Sequence, residues 1–146
     1  MATNCSVLDV AAYILKRAGA MSTMKLQKLV YYSQAWSLVW DEEPLFKDKI
    51  CAWANGPVAP TLFAAHKGKY RVEVGDIDGD PKRLTKDQRE TVDAIIKAYG
   101  NKSPQWLSEL THLEKPWREA RAGIAEGKPG SAEIERVAMY NYYSAL

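Results

Sequence analysis

Lys25-Leu26-Gln27-Lys28-Leu29-Val30-Tyr31-Tyr32-Ser33-Gln34-Ala35-Trp36 is the stretch whose periodicity decides the fold. Ser22 or Thr23 is placed to cap a helix that runs from about residue 23 to residue 40. On a helical wheel Leu26, Leu29, Tyr32, Ser33, Trp36 and Trp40 share a broad face, while Tyr31, Ala35 and Leu38 fall on the opposite side. A helix that is apolar nearly all round is a buried one. The sequence therefore predicts a mainly α protein, a single compact helical domain over 1–146 built around this central helix.

On the amino-terminal side, Ser6 and Asp9 form a capping-box-like start for a helix carrying Val7, Leu8, Ala11, Ile14, Leu15 and Ala18, with Gly19 as its stop. On the other side Pro44 ends the helical region. Phe46 to Trp53 is expected to be extended and to pair with Tyr70 to Val74, giving a minor two-stranded β element. Between them, Gly56-Pro57 signals a turn and Pro60 opens a short helix that ends near Gly68. Residues 75–83, rich in Gly and Asp, read as an exposed loop. Thr85 to Gln88 forms a capping box for a helix through Val92, Ile95, Ile96 and Tyr99 to Gly100. Ser103-Pro104 starts another helix, Pro116-Trp117 begins a further turn or short helix, and Ser131 is predicted to cap the last helix.

Composition narrows the function classes. Among 146 residues, 20 basic and 18 acidic side chains give a net charge of +2, with the signs interspersed, whereas nucleic-acid binders usually carry a basic stripe. No run approaches about 20 apolar residues, so no membrane span is expected, and the two cysteines, Cys5 and Cys51, are expected as reduced thiols in the cytoplasm. Two histidines, His66 and His112, and two cysteines stand scattered, unlike a metal site with its paired ligands. No Gly-rich phosphate loop precedes a helix. Thr111-His112-Leu113-Glu114 offers an acid–base pair on paper, but a histidine ending a helix is the plainer reading. No catalytic residue, cofactor or metal is expected, and the protein is expected not to be an enzyme.

Aromatic residues suggest contact instead. Five Trp and eight Tyr exceed what so short a chain obviously needs for its core. Trp36, Trp40 and Trp106 are expected in that core. In the last helix Ile134, Val137, Ala138 and Ala145 make one apolar stripe, while Met139, Tyr142 and Tyr143 are expected to point away from it. Tyr and Met favour interfaces, so Met139, Tyr140, Tyr142 and Tyr143 are the predicted partner-binding residues, with Arg71 and Arg83 flanking the exposed loop. Burial of both faces within the chain, or a homo-oligomer, would be the other ways to cover them.

Three words recur in order along the chain. The first is the quoted run, with Lys25, Leu26, Gln27, Lys28, Tyr31, Tyr32, Gln34 and Trp36. The second is Ala52-Trp53-Ala54-Asn55-Gly56-Pro57-Val58-Ala59-Pro60, and the third is Leu107-Ser108-Glu109-Leu110-Thr111-His112 followed by Pro116-Trp117. Together they resemble the Panacea antitoxin domain, the SocA-like or phage-associated GepA-like family, from Met24 to about Trp117. The resemblance implies the antitoxin of a two-gene toxin–antitoxin pair in a bacterial or phage-infected cell. It implies binding to a cognate protein toxin encoded by an adjacent gene, with the motif residues serving as scaffold. It also leaves open an adaptor that delivers a toxin to an AAA+ protease, while the charge balance argues against a DNA-binding autoregulator.

Overall fold

The computed structural model describes residues 4–146. Seven α-helices and four short strands are found among the described residues. Helix α1 (Val7–Ala18) leads through β1 (Met21–Ser22) into α2 (Thr23–Trp40). Then follow β2 (Cys51–Trp53), β3 (Gly56–Val58), α3 (Pro60–His66) and β4 (Arg71–Val72). The remainder is a 3-10 turn (Pro81–Arg83), α4 (Lys86–Tyr99), α5 (Pro104–Leu113), α6 (Lys115–Ala120) and α7 (Arg136–Tyr143). None of the described helices is long and apolar enough to cross a membrane.

Caps predicted from sequence set most boundaries. Ser6 and Asp9 close a capping box at α1, Thr85 and Gln88 another at α4, and Ser22 and Ser103 accept from the N3 amides of α2 and α5. Gly19, at φ 86°, ends α1 in a conformation that side chains resist. Helix α2 packs against α1, α4, α5 and α7 and against β3, as its all-round apolar surface demands. Leu26, Leu29, Tyr32 and Ala35 are fully buried. So are polar residues on the same helix, and they find their partners in segments that the helix holds.

Gln34 Oε1 accepts from Leu45 N at 2.7 Å and Phe46 N at 3.4 Å, and its Nε2 donates to Phe46 O at 2.9 Å. Gln27, two turns earlier, does the same to Ala59, with Oε1 to the amide at 2.9 Å and Nε2 to the carbonyl at 3.4 Å. Each amide side chain thus serves a backbone N–H and C=O that burial would otherwise orphan. Lys25 Nζ donates to Gly100 O at the carboxyl end of α4, where unsatisfied carbonyls attract a cation.

Four expectations are corrected. The β pairing is local: β2 folds back on β3, and β4 pairs with β1, so there are two antiparallel ribbons in place of one between the 46–53 and 70–74 segments. Gly56, at φ 122°, lets the chain reverse within two residues, and so short a closure costs less entropy than a distant pairing. The last helix starts at Arg136, with Glu135 at the N-cap position and no capping bond from its side chain. Residues from Ser131 run extended, with Ala132 O accepting from Ala52 N at 2.8 Å and Ile134 N donating to Ile50 O at 2.8 Å. Trp40 and Trp106 are 51% and 40% exposed, not core. Trp106 is covered by the Lys102 ammonium, 4.8 Å from its ring centre. Finally, the 75–83 loop is partly anchored, because Ile77 is buried and Asp80 N donates to Asp9 Oδ1 at 2.7 Å.

Candidate functional site

The three sequence words converge on one corner of α2. Its first turns supply Thr23, Met24, Gln27 and Lys28, the β2–β3 hairpin supplies Trp53, Ala54, Asn55 and Val58, and α3 supplies Phe63 and His66. With the segment around Gly127 to Ser131 they enclose a pocket of about 550 Å³. Trp53 and Phe63 meet edge to face at 4.9 Å, and Phe63 meets His66 likewise at 5.4 Å. Gln27 Nε2 can only donate, so His66 Nε2, 3.0 Å away, accepts, which requires a neutral ring protonated on Nδ1. Burial pulls the His66 pKa below its ordinary value, in keeping with that neutral ring.

Lys28 is 1% exposed and belongs to this pocket. Its Nζ donates to Pro57 O at 3.3 Å and has no other partner among the described residues. Burial lowers its pKa to about 8. Gly56 is part of this arrangement: a Cβ there would lie 2.6 Å from Lys28 Cε and 3.1 Å from Thr111 Oγ1, so only glycine fits.

Behind the hairpin stand the residues of the third word. Trp117 Nε1 donates to Trp53 O at 2.8 Å, and Arg121 donates to Ala52 O at 3.0 Å and Lys128 O at 2.6 Å. His112 stacks on Trp117 at 3.9 Å. Its pKa is lowered by burial first and by the Lys28 charge next. The Nε2 atom of His112 is buried with no hydrogen-bond partner. Thr111 Oγ1 bonds back to Ser108 O at 2.6 Å, Leu110 packs on the core, and Pro116 is buried at the start of α6. Pro60 takes the first position of α3.

A second cluster sits deeper. Tyr32 and Tyr143 hydroxyls both donate to Glu114 Oε1 at 2.7 Å, and Tyr31 donates to the Tyr143 hydroxyl at 3.0 Å. Burial raises the Glu114 pKa, against the pull of the two hydroxyl bonds. Tyr32 stacks on Tyr99 at 4.6 Å, and Trp36 packs on Tyr143 at 5.7 Å. Glu114 therefore faces the tyrosines while His112 faces Trp117; no hydrogen bond joins the pair suggested by their spacing.

The outward face assigned to the last helix is corrected by the same cluster. Met139 and Tyr143 are each 1% exposed, and Tyr142 is half-buried. Val137 and Tyr140 are the exposed large apolar residues of this helix, at 59% and 39%. The inversion follows from the helix start: Ile134 lies in the extended segment and cannot define a helical stripe. Tyr143 can go inward because Glu114 and Tyr31 satisfy its hydroxyl. Arg71 lies in β4 and Arg83 in the 3-10 turn packed on α1, both exposed, whereas α7 packs on α2 and α6. Sequence reasoning missed Met24 and Phe63, and it paired Glu114 with His112 instead of with the tyrosines. Met24 and Phe63 flank the quoted words at positions with no distinctive spacing, and only its three-dimensional neighbours mark Glu114.

The family model described as antitoxin SocA-like, Panacea domain, matches residues 26–118. No curated protein and no solved structure matches the chain. The matched span runs from Leu26 in α2 to just past Trp117, taking in the hairpin, Lys28, the Gly56 turn and, from the tyrosine cluster, Tyr31, Tyr32 and Glu114. It covers well over half of the 146 residues. The chain belongs to the SocA-like Panacea antitoxin domain family.

Proposed function

We propose that this protein is the antitoxin of a toxin–antitoxin pair and neutralises a cognate protein toxin, encoded beside it, by direct contact and without catalysis. Family membership supports the antitoxin role. The observation that carries direct contact is the apolar exposure on the outer side of α7. Val137 lines a groove with Pro116, Ala138, Tyr142, Ala145 and Leu146, and Lys115 and Glu119 add polar groups. Tyr140 is exposed on the same short helix. A stable complex buries about 1,600 Å² around a few apolar or aromatic anchors, and Val137 and Tyr140 are suited to that part.

Val137→Asp and Tyr140→Asp place charge on this surface without touching the core. Co-expressed with the adjacent gene's product, each variant is expected to lose growth rescue and co-purification while its melting temperature stays close to that of the unsubstituted protein. Full rescue by both variants would contradict the surface assignment. A neighbour that is not toxic, or rescue without a complex, would contradict direct neutralisation. Toxin half-life separates sequestration from delivery to an AAA+ protease: it stays unchanged or lengthens in the first case and shortens in the second.

A further inference from the structure

Lys28 presents a physical problem that the fold does not resolve internally. An ammonium group has three N–H donors, and a single carbonyl, Pro57 O at 3.3 Å, takes one of them. No carboxylate is among the residues that line the pocket holding it. Buried cations are ordinarily paired, because an isolated one in an apolar setting is strongly disfavoured. Two of the other polar groups that line the pocket are already engaged: Gln27 is committed to Ala59 and His66, and His66 Nε2 accepts from Gln27. The walls are mainly apolar and aromatic, with Met24, Trp53 and Phe63 partly exposed and Thr23, Asn55 and Ser131 adding polar groups.

We propose that this pocket binds a carboxylate carried on an apolar body, the carboxylate pairing with Lys28 Nζ at the floor and the body lying against Met24, Trp53 and Phe63. A pocket of about 550 Å³ falls in the range that encloses a small ligand or a terminal residue of a peptide. The ligand is a monoanion because one cation serves it; a phosphate would need several charged or fork-shaped donors to replace its water. Its body is mainly apolar because Met24, Trp53, Val58 and Phe63 dominate the accessible lining. Gly56 keeps the lysine in place by leaving room for Cε, and the Trp117 and Arg121 bonds to the β2 carbonyls hold the hairpin wall against it. This site is independent of the toxin-facing surface on α7.

The carboxylate has two sources, a free organic acid or the carboxyl terminus of a protein chain, and paired probes separate them. The first pair is 3-phenylpropionate and 3-phenylpropanamide; the second is the tripeptide Gly-Gly-Phe with a free and with an amidated carboxyl terminus. Each is titrated at pH 7 into the full chain and into Lys28→Met, followed by amide NMR shifts. We expect the acid to bind at least about tenfold more tightly than its amide in one pair, with the preference lost in Lys28→Met. Preference within the first pair alone assigns a small-molecule site, and within the second alone a site for a chain terminus. Equal binding of acid and amide, a preference that survives in Lys28→Met, or no shift with any probe would overturn the proposal. The comparison of acid with amide on the unsubstituted protein stands even if the variant fails to fold.

Discussion

At pH 7 the folded and unfolded chains both carry a proton on Lys28, but only the folded chain holds it out of water, with a pKa lowered from 10.5 to about 8. A difference of this size is on the order of 3 kcal/mol of destabilisation. The sign follows from proton counting. Between about pH 8 and pH 10.5 the unfolded state binds more protons than the folded one, so this contribution to stability improves as pH rises through that window. Lys28→Met should therefore be more stable than the unsubstituted protein at pH 7, by up to about 3 kcal/mol in urea unfolding, with the gain shrinking toward pH 10. A loss of stability at pH 7 would mean that the Pro57 bond outweighs desolvation. Tyr143 makes the opposite point. Its hydroxyl links Tyr31 to Glu114, so Tyr143→Phe leaves a buried donor without its acceptor and should cost about 1–3 kcal/mol.

The central helix can be apolar on nearly every side because its few buried polar residues act on neighbouring elements. Gln27 and Gln34 stand seven positions apart, on one side of α2, and fix the segments at Ala59 and at Leu45–Phe46. Replacing Gln34 by Ala removes three hydrogen bonds from a buried segment and should destabilise the protein by about 2–4 kcal/mol, measurable as a lower urea midpoint with an unchanged slope. This level was the most legible in the sequence. Caps at Ser6, Ser22, Thr85 and Ser103 are local signals that need no tertiary information, and each is observed. Ser131 misled because a capping residue type cannot distinguish a helix start from an extended segment that adds to β2. Trp40 and Trp106 misled for a related reason: helical phase gives a direction, but whether anything stands there depends on elements distant in sequence. The pocket was only half legible. Gln27, Lys28, Trp53 and Gly56 stood out as words, whereas the absence of a counter-ion for Lys28 is a property of the assembled walls.

Over the whole molecule, α7 and the strand-like segment before it complete the core that α2 begins. Ile134, Met139 and Tyr143 are each 1% exposed, and the 131–134 segment bonds to β2. Deleting 131–146 should therefore abolish cooperative unfolding, seen as a broad, shallow melt, and would not isolate a binding helix. The outer face of the same helix leaves Val137 and Tyr140 exposed, the surface we propose for the toxin. Many motif residues of this Panacea-family domain are buried, among them Leu26, Gln27, Lys28, Tyr31, Tyr32, Gln34 and Trp117, whereas Lys25, Trp53 and His112 are partly exposed. The most direct test of neutralisation by contact is isothermal titration of the purified chain with the purified product of the adjacent gene. The account predicts a saturable, stoichiometric complex that Tyr140→Asp weakens by at least about tenfold. No heat and no complex with a neighbour that is toxic in cells would contradict it.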